Sequence, residues 1–260
     1  MMRAALIVIP ITGDKSRNLA AVLRLAGQAV TAGAELLLLP EAALTGLVTT
    51  DYPGHDLPLG DTIPGPTTEA LATFCRARSV WLGIGLLERV GTRLYDSAVL
   101  INAAGNIALT YRRIQPGWHG SRAEPTVYCH GTDVPVARTP FGKVAFLICG
   151  DLFDDRVLGL FRQARPDLLL FPFARSFTAG SYDQTRWDRE ELPAYSEQVR
   201  RLKTPALMVN ALSRPNGHGE AFFGGAWALS AEGEVLAARR LGAPGMLLVD
   251  LNMPAAEKGR

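Results

Sequence analysis

Short runs in which nearly every residue is apolar alternate along this chain with longer stretches whose apolar residues recur at helical spacing. That alternation restricts the fold more than any other feature. A strand that is apolar on both faces has to be covered on both faces, by helices or by a second sheet. Ala4–Pro10, Glu35–Leu39, Val80–Leu87, Lys143–Cys149, Asp167–Phe171 and Ala206–Asn210 read as such strands. Between them, Asn18–Ala32 (with Leu19, Val22, Leu23, Leu25 and Ala26 on one face), Thr67–Arg78, the stretch near Arg156–Ala164, and Pro193–Leu202 read as helices. Two tight turns, Ala103-Ala104-Gly105-Asn106 and Ala231-Glu232-Gly233, join Asp96–Ile101 to Ile107–Tyr111 and Gly225–Ser230 to Glu234–Ala238; Gly245–Leu251 is a closing strand. Hairpins require antiparallel pairs, so the expected fold is an α/β sandwich with mixed sheets. No Ser-, Gly- or Pro-rich linker, low-complexity tract or repeat divides the chain, and one domain over residues 1–260 is expected.

The charge balance, 27 basic against 25 acidic side chains for a formal +2, supplies no footprint for nucleic acid or an anionic membrane. The amino-terminal apolar run after Arg3 reads as a buried first strand and not as a signal peptide, and no stretch reaches the roughly 18 apolar residues of a membrane span. Cys75, Cys129 and Cys149 form no Cys-x-x-Cys pair, which points away from a disulfide framework or zinc cluster and towards a cytoplasmic setting. His55, His119, His130 and His218 show no i,i+4 pairing; they read as loop residues, His119 being the one best placed to line a pocket. Gly83-Ile84-Gly85 lies inside a strand and is not a phosphate-cradling loop. No metal and no cofactor are expected.

Polar chemistry interrupts the apolar pattern at three points. Leu36-Leu37-Leu38-Leu39-Pro40-Glu41 brings a carboxylate to the end of a buried strand, where Pro40 turns the chain. Partial burial there raises a carboxyl pKa and suits Glu41 to act as a general base, although a solvated or helix-capping glutamate fits the local sequence as well. Val144-Ala145-Phe146-Leu147-Ile148-Cys149-Gly150-Asp151 brings a thiol to a strand end before a glycine, whose amide can donate to a developing oxyanion. A small buried hydrophobe is the alternative for any single cysteine, and Cys75 on its helix fits it. Thr110-Tyr111-Arg112-Arg113-Ile114-Gln115-Pro116 sets two cations after a strand, ahead of Gly117-Trp118-His119-Gly120.

Together and in this order, the three segments resemble the nitrilase superfamily of carbon–nitrogen hydrolases. The matching stretches are LLLLPEAALTG with Glu41, LTYRRIQP with Arg113, and VAFLICGDLFDDR with Cys149; Tyr95-Asp96-Ser97-Ala98 resembles the family's hairpin, and Glu124 in AEPTVYCHG matches a second glutamate. The resemblance implies a four-layer α-β-β-α sandwich that assembles as a homodimer or larger homo-oligomer. It also implies thiol-dependent hydrolysis of a small amide or nitrile, with Cys149 as nucleophile, Glu41 as base, and Glu124 and the residue at 113 assisting. By the same resemblance, Phe173 and Arg175 follow the strand after Cys149 where family pockets take substrate contacts; Arg175 reads either as a partner for a substrate carboxylate or as an ordinary surface arginine, Trp118 either walls the pocket or packs a loop, and Gly150 is expected at the substrate through its amide.

One position departs from the family pattern. Arg113 stands where the family carries a lysine, and a forked guanidinium does not replace a compact ammonium conservatively at a packed site. Lys143 begins the strand that leads to Cys149 and would stand about 20 Å away along it, so it is a poor substitute. Two rival functions follow: a binding or regulatory pseudoenzyme, and an acyltransferase with an amine acceptor. If the site has adapted to arginine, Arg113 is expected to pair with a carboxylate, Glu124 being the candidate.

Overall fold

The computed structural model describes residues 1–177, 182–213 and 221–253. Five strands open the first sheet: β1 (Met2–Val8), β2 (Leu36–Leu38), β3 (Trp81–Val90), β4 (Arg93–Ile101) and β5 (Ile107–Arg112). The second sheet comprises β6 (Ala137–Thr139), β7 (Gly142–Phe146), β8 (Leu168–Phe173), β9 (Ala206–Asn210), β10 (Ala226–Leu229) and β11 (Val235–Arg239). Strand β12 (Gly245–Leu251) returns to the first sheet, antiparallel to β1. The orders are β12-β1-β2-β3-β4-β5 and β11-β10-β9-β8-β7-β6. Parallel pairs join β1 to β2, β2 to β3, β7 to β8 and β8 to β9; the remaining neighbours are antiparallel.

Alternation along β1 shows how the layers arise. Ala4, Leu6 and Val8 belong to the core shared with the second sheet. Ala5 and Ile7 instead meet Val22, Leu25, Ala26 and Ala29 of α1 (Lys15–Thr31) and Leu71 and Cys75 of α2 (Pro66–Arg78). Beyond the second sheet, α3 (Asp155–Ala164) contributes Val157, Leu158 and Phe161, and α4 (Leu192–Leu202) contributes Tyr195, Val199 and Leu202. Two sheets face to face with helices outside each give the four-layer α-β-β-α sandwich, a mixed-sheet α/β fold. Both expected hairpins are present. Asn102 Oδ1 closes the first by accepting from the amides of Ala104 and Asn106 at 2.9 Å each.

One element boundary shifts where the site begins. Cys149 does not end a strand: β7 stops at Phe146, and Cys149 opens a 3₁₀ turn through Phe153. Its φ of +46° lies in the left-handed region, which a ladder cannot accommodate and L side chains rarely adopt. Asp154 then caps α3, accepting from Arg156 and Val157 at 2.9 and 3.1 Å, and so fixes the exit of the turn.

Candidate active site

Glu41 follows β2 as expected and is completely buried. The backbone around it lies directly against β3: the Gly85 amide donates to Pro40 O at 3.1 Å, and the Ala43 amide donates to Gly85 O at 2.9 Å. A Cβ on residue 85 would stand 2.5 Å from Glu41 Cα, so the close approach that seats Glu41 requires glycine there.

The partly exposed Cys149 is held through Asp151. The buried Asp151 carboxylate accepts from the amides of Ile148 (3.0 Å), Ile114 (3.1 Å) and Gln115 (2.8 Å) and from the Tyr111 hydroxyl (2.6 Å). One side chain thus ties the thiol's turn to the loop after β5. Burial pushes the Asp151 carboxyl up, while the bonds from Tyr111, Gln115 and Ile148 and the charge of Arg113 oppose the shift by favouring the ionised form. Asp151→Ala is predicted to lower stability by about 3–5 kcal/mol, because three amides and a hydroxyl lose their acceptor. Urea unfolding with an unchanged midpoint would contradict that role.

Arg113 enters from the end of β5 and is buried. Its Nη1 donates to Glu41 Oε1 at 3.0 Å and to Asp96 Oδ2 at 3.4 Å, and its Nη2 donates to Gln115 Oε1 at 2.8 Å. The sequence had offered Glu124 as its partner. The structure instead leaves Glu124 exposed, where it accepts from the Thr126 hydroxyl at 2.9 Å. Burial opposes the guanidinium's charge, but negative charge at Cys149, Glu41 and Asp96 outweighs it and holds Arg113 protonated. Burial, and then negative charge at Cys149, push Glu41 up to about 8, with Arg113 and Asp96 pulling the other way. Asp96 is raised well above the usual carboxylate range by burial and by Glu41.

A cleft of roughly 440 Å³ opens onto Cys149, with Gly150, Phe153, Arg175 and Tyr195 on its walls. Beside Gly150 the space is filled by the site itself, since a Cβ there would meet Gln115 and lie 2.7 Å from Arg113 Nη2. Two of the expected substrate contacts point elsewhere. Phe173 is buried against Phe171 and Trp187, with ring centroids 5.2 and 6.1 Å away. Trp118 packs in a separate small core with Ala42, Leu87, Leu94 and Tyr128. His119 is outside the cleft lining; its Nε2 lies 2.9 Å from His130 Nε2. His218 lies outside the described residues. A larger cavity, of roughly 670 Å³, is walled by Lys15, Leu44, His55 and Phe222 and includes none of Glu41, Arg113 and Cys149.

A family model described as carbon–nitrogen hydrolase matches residues 3–260. The chain belongs to the carbon–nitrogen hydrolase family. Among curated relatives, an omega-amidase of Mus musculus is 27% identical over 185 residues, covering 68% of this chain and 65% of the relative. The match to that enzyme thus spans just under two thirds of its length. A deaminated glutathione amidase of Homo sapiens is 28% identical over 262 residues, covering 93% of this chain and 74% of the relative. The fold is shared with a carbon–nitrogen hydrolase from Helicobacter pylori G27, with TM-score 0.83, 18% identity, and coverage of 95% and 88% of the two chains. A variant of an amidase from Nesterenkonia sp. AN1 superposes with TM-score 0.76 at 22% identity, covering 97% of this chain and 94% of that chain. In that protein acrylamide has added to the active-site cysteine.

Asp96 and Gln115 contact Arg113, and Tyr111 contacts Asp151; none of the three was singled out from sequence. The available signal was Asp96 itself, an acid inside an otherwise apolar strand, which has to find a partner if buried.

Proposed function

We propose that the protein hydrolyses the carbon–nitrogen bond of a small amide through an acyl-enzyme on Cys149. The observation that carries this reading is geometric: at the floor of the cleft that Cys149 and Gly150 line, Arg113 lies against Gly150 through Nη2 and holds the buried Glu41 carboxylate through Nη1 at 3.0 Å. The amidase relatives and the cysteine adduct in the Nesterenkonia amidase support it.

In this proposal Glu41 takes the thiol proton and the sulfur attacks the amide carbon. The resulting oxyanion is stabilised by the Gly150 amide and the charge of Arg113. Glu41 returns the proton to the departing nitrogen, which leaves as ammonia or an amine when the C–N bond breaks. Glu41 next takes a proton from water, the hydroxide attacks the thioester, and the acid leaves as the thiol is restored. Asp96 is a positioning residue, holding Arg113 and Glu41 without meeting substrate. Glu124, exposed and bonded to Thr126, has no part in this set. Assembly as a homodimer belongs to the same proposal.

The pH dependence follows from Glu41. A base must be ionised to accept a proton, and this carboxyl is held up to about 8. Below that pH the competent fraction falls, so kcat/KM for ammonia release from small primary amides is expected to drop by about tenfold per unit of acidification. Glu41→Gln should cut turnover by about 10²–10⁴-fold and remove this limb. A flat wild-type profile between neutrality and pH 9, or a Glu41→Gln variant of near wild-type rate, would assign the base elsewhere.

A further inference from the structure

The wall of the cleft opposite Gly150 is built by a widened helical turn. Trp187–Glu191 is π-helical and leads directly into α4. Trp187 is anchored in the aromatic core, 4.4 Å from the Trp227 ring and 5.2 Å from that of Tyr195, while Glu190 and Glu191 reach the cleft. Single π turns of this kind recur where a helix must re-aim side chains at a site.

Facing them is Arg175, just past the end of β8. Its backbone is gripped by the buried Asn210, whose Oδ1 accepts from the Arg175 amide at 2.7 Å and whose Nδ2 donates to the Arg175 carbonyl at 3.1 Å. Its guanidinium is held at both ends by Glu191, with Nε to Oε2 at 3.1 Å and Nη2 to Oε1 at 2.7 Å. The Glu191 side chain is 15% exposed and that of Arg175 42%, so this is a half-buried pair whose order comes from its two-point geometry. The exposed Arg186 stands 3.5 Å from Glu190 and 3.9 Å from Glu191. Among the described residues, the two carboxylates on this wall are therefore matched by two guanidiniums, and Arg175, the one of the two that lines the cleft, is already engaged.

We propose that Glu191 is a specificity-determining residue which, by occupying Arg175, restricts the site to amides with uncharged acyl groups. This rests on the hydrolytic reading above and adds the substrate class to it. A substrate carboxylate has to displace Glu191 from Arg175, exchanging one two-point pair for another while adding negative charge beside Glu190 and the displaced Glu191. A substrate ammonium has to draw Glu191 away and leave Arg175 unpaired beside it. An uncharged chain leaves the pair intact and packs on Phe153, Ala194 and Tyr195.

The test begins with a reaction that needs no turnover. Alkylation of Cys149 by iodoacetamide and by iodoacetate compares a neutral with an anionic reagent of nearly equal size, with free glutathione as the reference thiol. Wild-type protein is expected to favour iodoacetamide over iodoacetate by roughly tenfold more than glutathione does. Glu191→Gln keeps the shape, frees Arg175, and should erase most of that excess; adding Arg175→Gln should restore it. Hydrolysis of butyramide, succinamate and β-alaninamide then gives the same ranking in kcat/KM, with succinamate gaining roughly tenfold to a hundredfold on butyramide in Glu191→Gln. Arg175→Gln alone frees Glu191 and should favour β-alaninamide. A wild-type preference for succinamate, or selectivity ratios unmoved in both single variants, would overturn the role of Glu191. Alkylation ratios that shift as expected without hydrolysis of any amide would overturn the hydrolytic reading and leave the charge selection standing.

Discussion

Cys149→Ala is expected to lower amide hydrolysis by about 10⁴-fold or more, because the covalent route disappears and only binding and oxyanion stabilisation remain. The other two cysteines cannot take over. Cys75 is fully buried in the core between α2 and the first sheet, and burial pushes its thiol up to about 12. Cys129 lies in the loop after β5, with weak contacts to the carbonyls of Pro125 and Thr126, outside the lining of the Cys149 cleft. Of the three, only Cys149 lines the cleft, next to Gly150 and the Arg113 guanidinium that holds Glu41. Intact-mass analysis after exposure to acrylamide or a slow amide should accordingly show one adduct on wild-type protein and on Cys75→Ala, and none on Cys149→Ala. The alanine variant should also unfold at nearly the wild-type denaturant concentration, since a partly exposed side chain in a turn contributes little packing. Turnover that survives in Cys149→Ala, or an adduct that persists there, would remove Cys149 from the mechanism.

The parts of this site that were legible in the sequence are those that a strand delivers. An apolar run has a direction and an end, so Leu36–Leu39 announces Glu41, and Val144–Ile148 announces Cys149, even though the last strand residue is Phe146. What could not be read was set by packing between distant segments. Asp96 and Arg113 meet because β4 and β5 pair in register, with the Arg113 amide bonded to Asp96 O at 2.8 Å, and because Glu41 is carried to the same point from β2 across β3. Glu124 and Trp118 lie between β5 and β6, a segment without sheet register, where periodicity says nothing about direction. Phe173 was misjudged for the opposite reason. It sits at a strand end beside the cleft, but its side chain joins the aromatic cluster of Phe171, Trp187 and Tyr195, while Arg175, two residues on, turns to the cleft.

Arg113 is where adaptation and decay of the site predict opposite results. The guanidinium is matched at its two terminal nitrogens, where Glu41 and Asp96 share Nη1, Gln115 takes Nη2 and Gly150 leaves the space that Nη2 occupies, while its Nε is buried without a partner. A lysine ammonium at position 113 has three donors but a single nitrogen on a shorter reach, and cannot stand at both the Nη1 position that meets the two acids and the Nη2 position that meets Gln115. Arg113→Lys is therefore expected to lower kcat/KM by about tenfold or more and stability by about 1–3 kcal/mol, the latter from the lost Gln115 bond and the weakened carboxylate contacts. Arg113→Ala should cost about 3–5 kcal/mol, because it strands buried carboxyls without their cation. The pH profile separates electrostatics from simple loss of packing. The positive charge of Arg113 pulls the Glu41 carboxyl down against burial, so its removal must let that carboxyl rise further above 8. The ascending limb of activity in Arg113→Ala should move to higher pH, whereas Arg113→Lys, which keeps the charge, should shift it little. A sharp gain of amidase activity in Arg113→Lys, with no loss of stability, would mean that the pocket is still shaped for an ammonium and that the arginine marks decay.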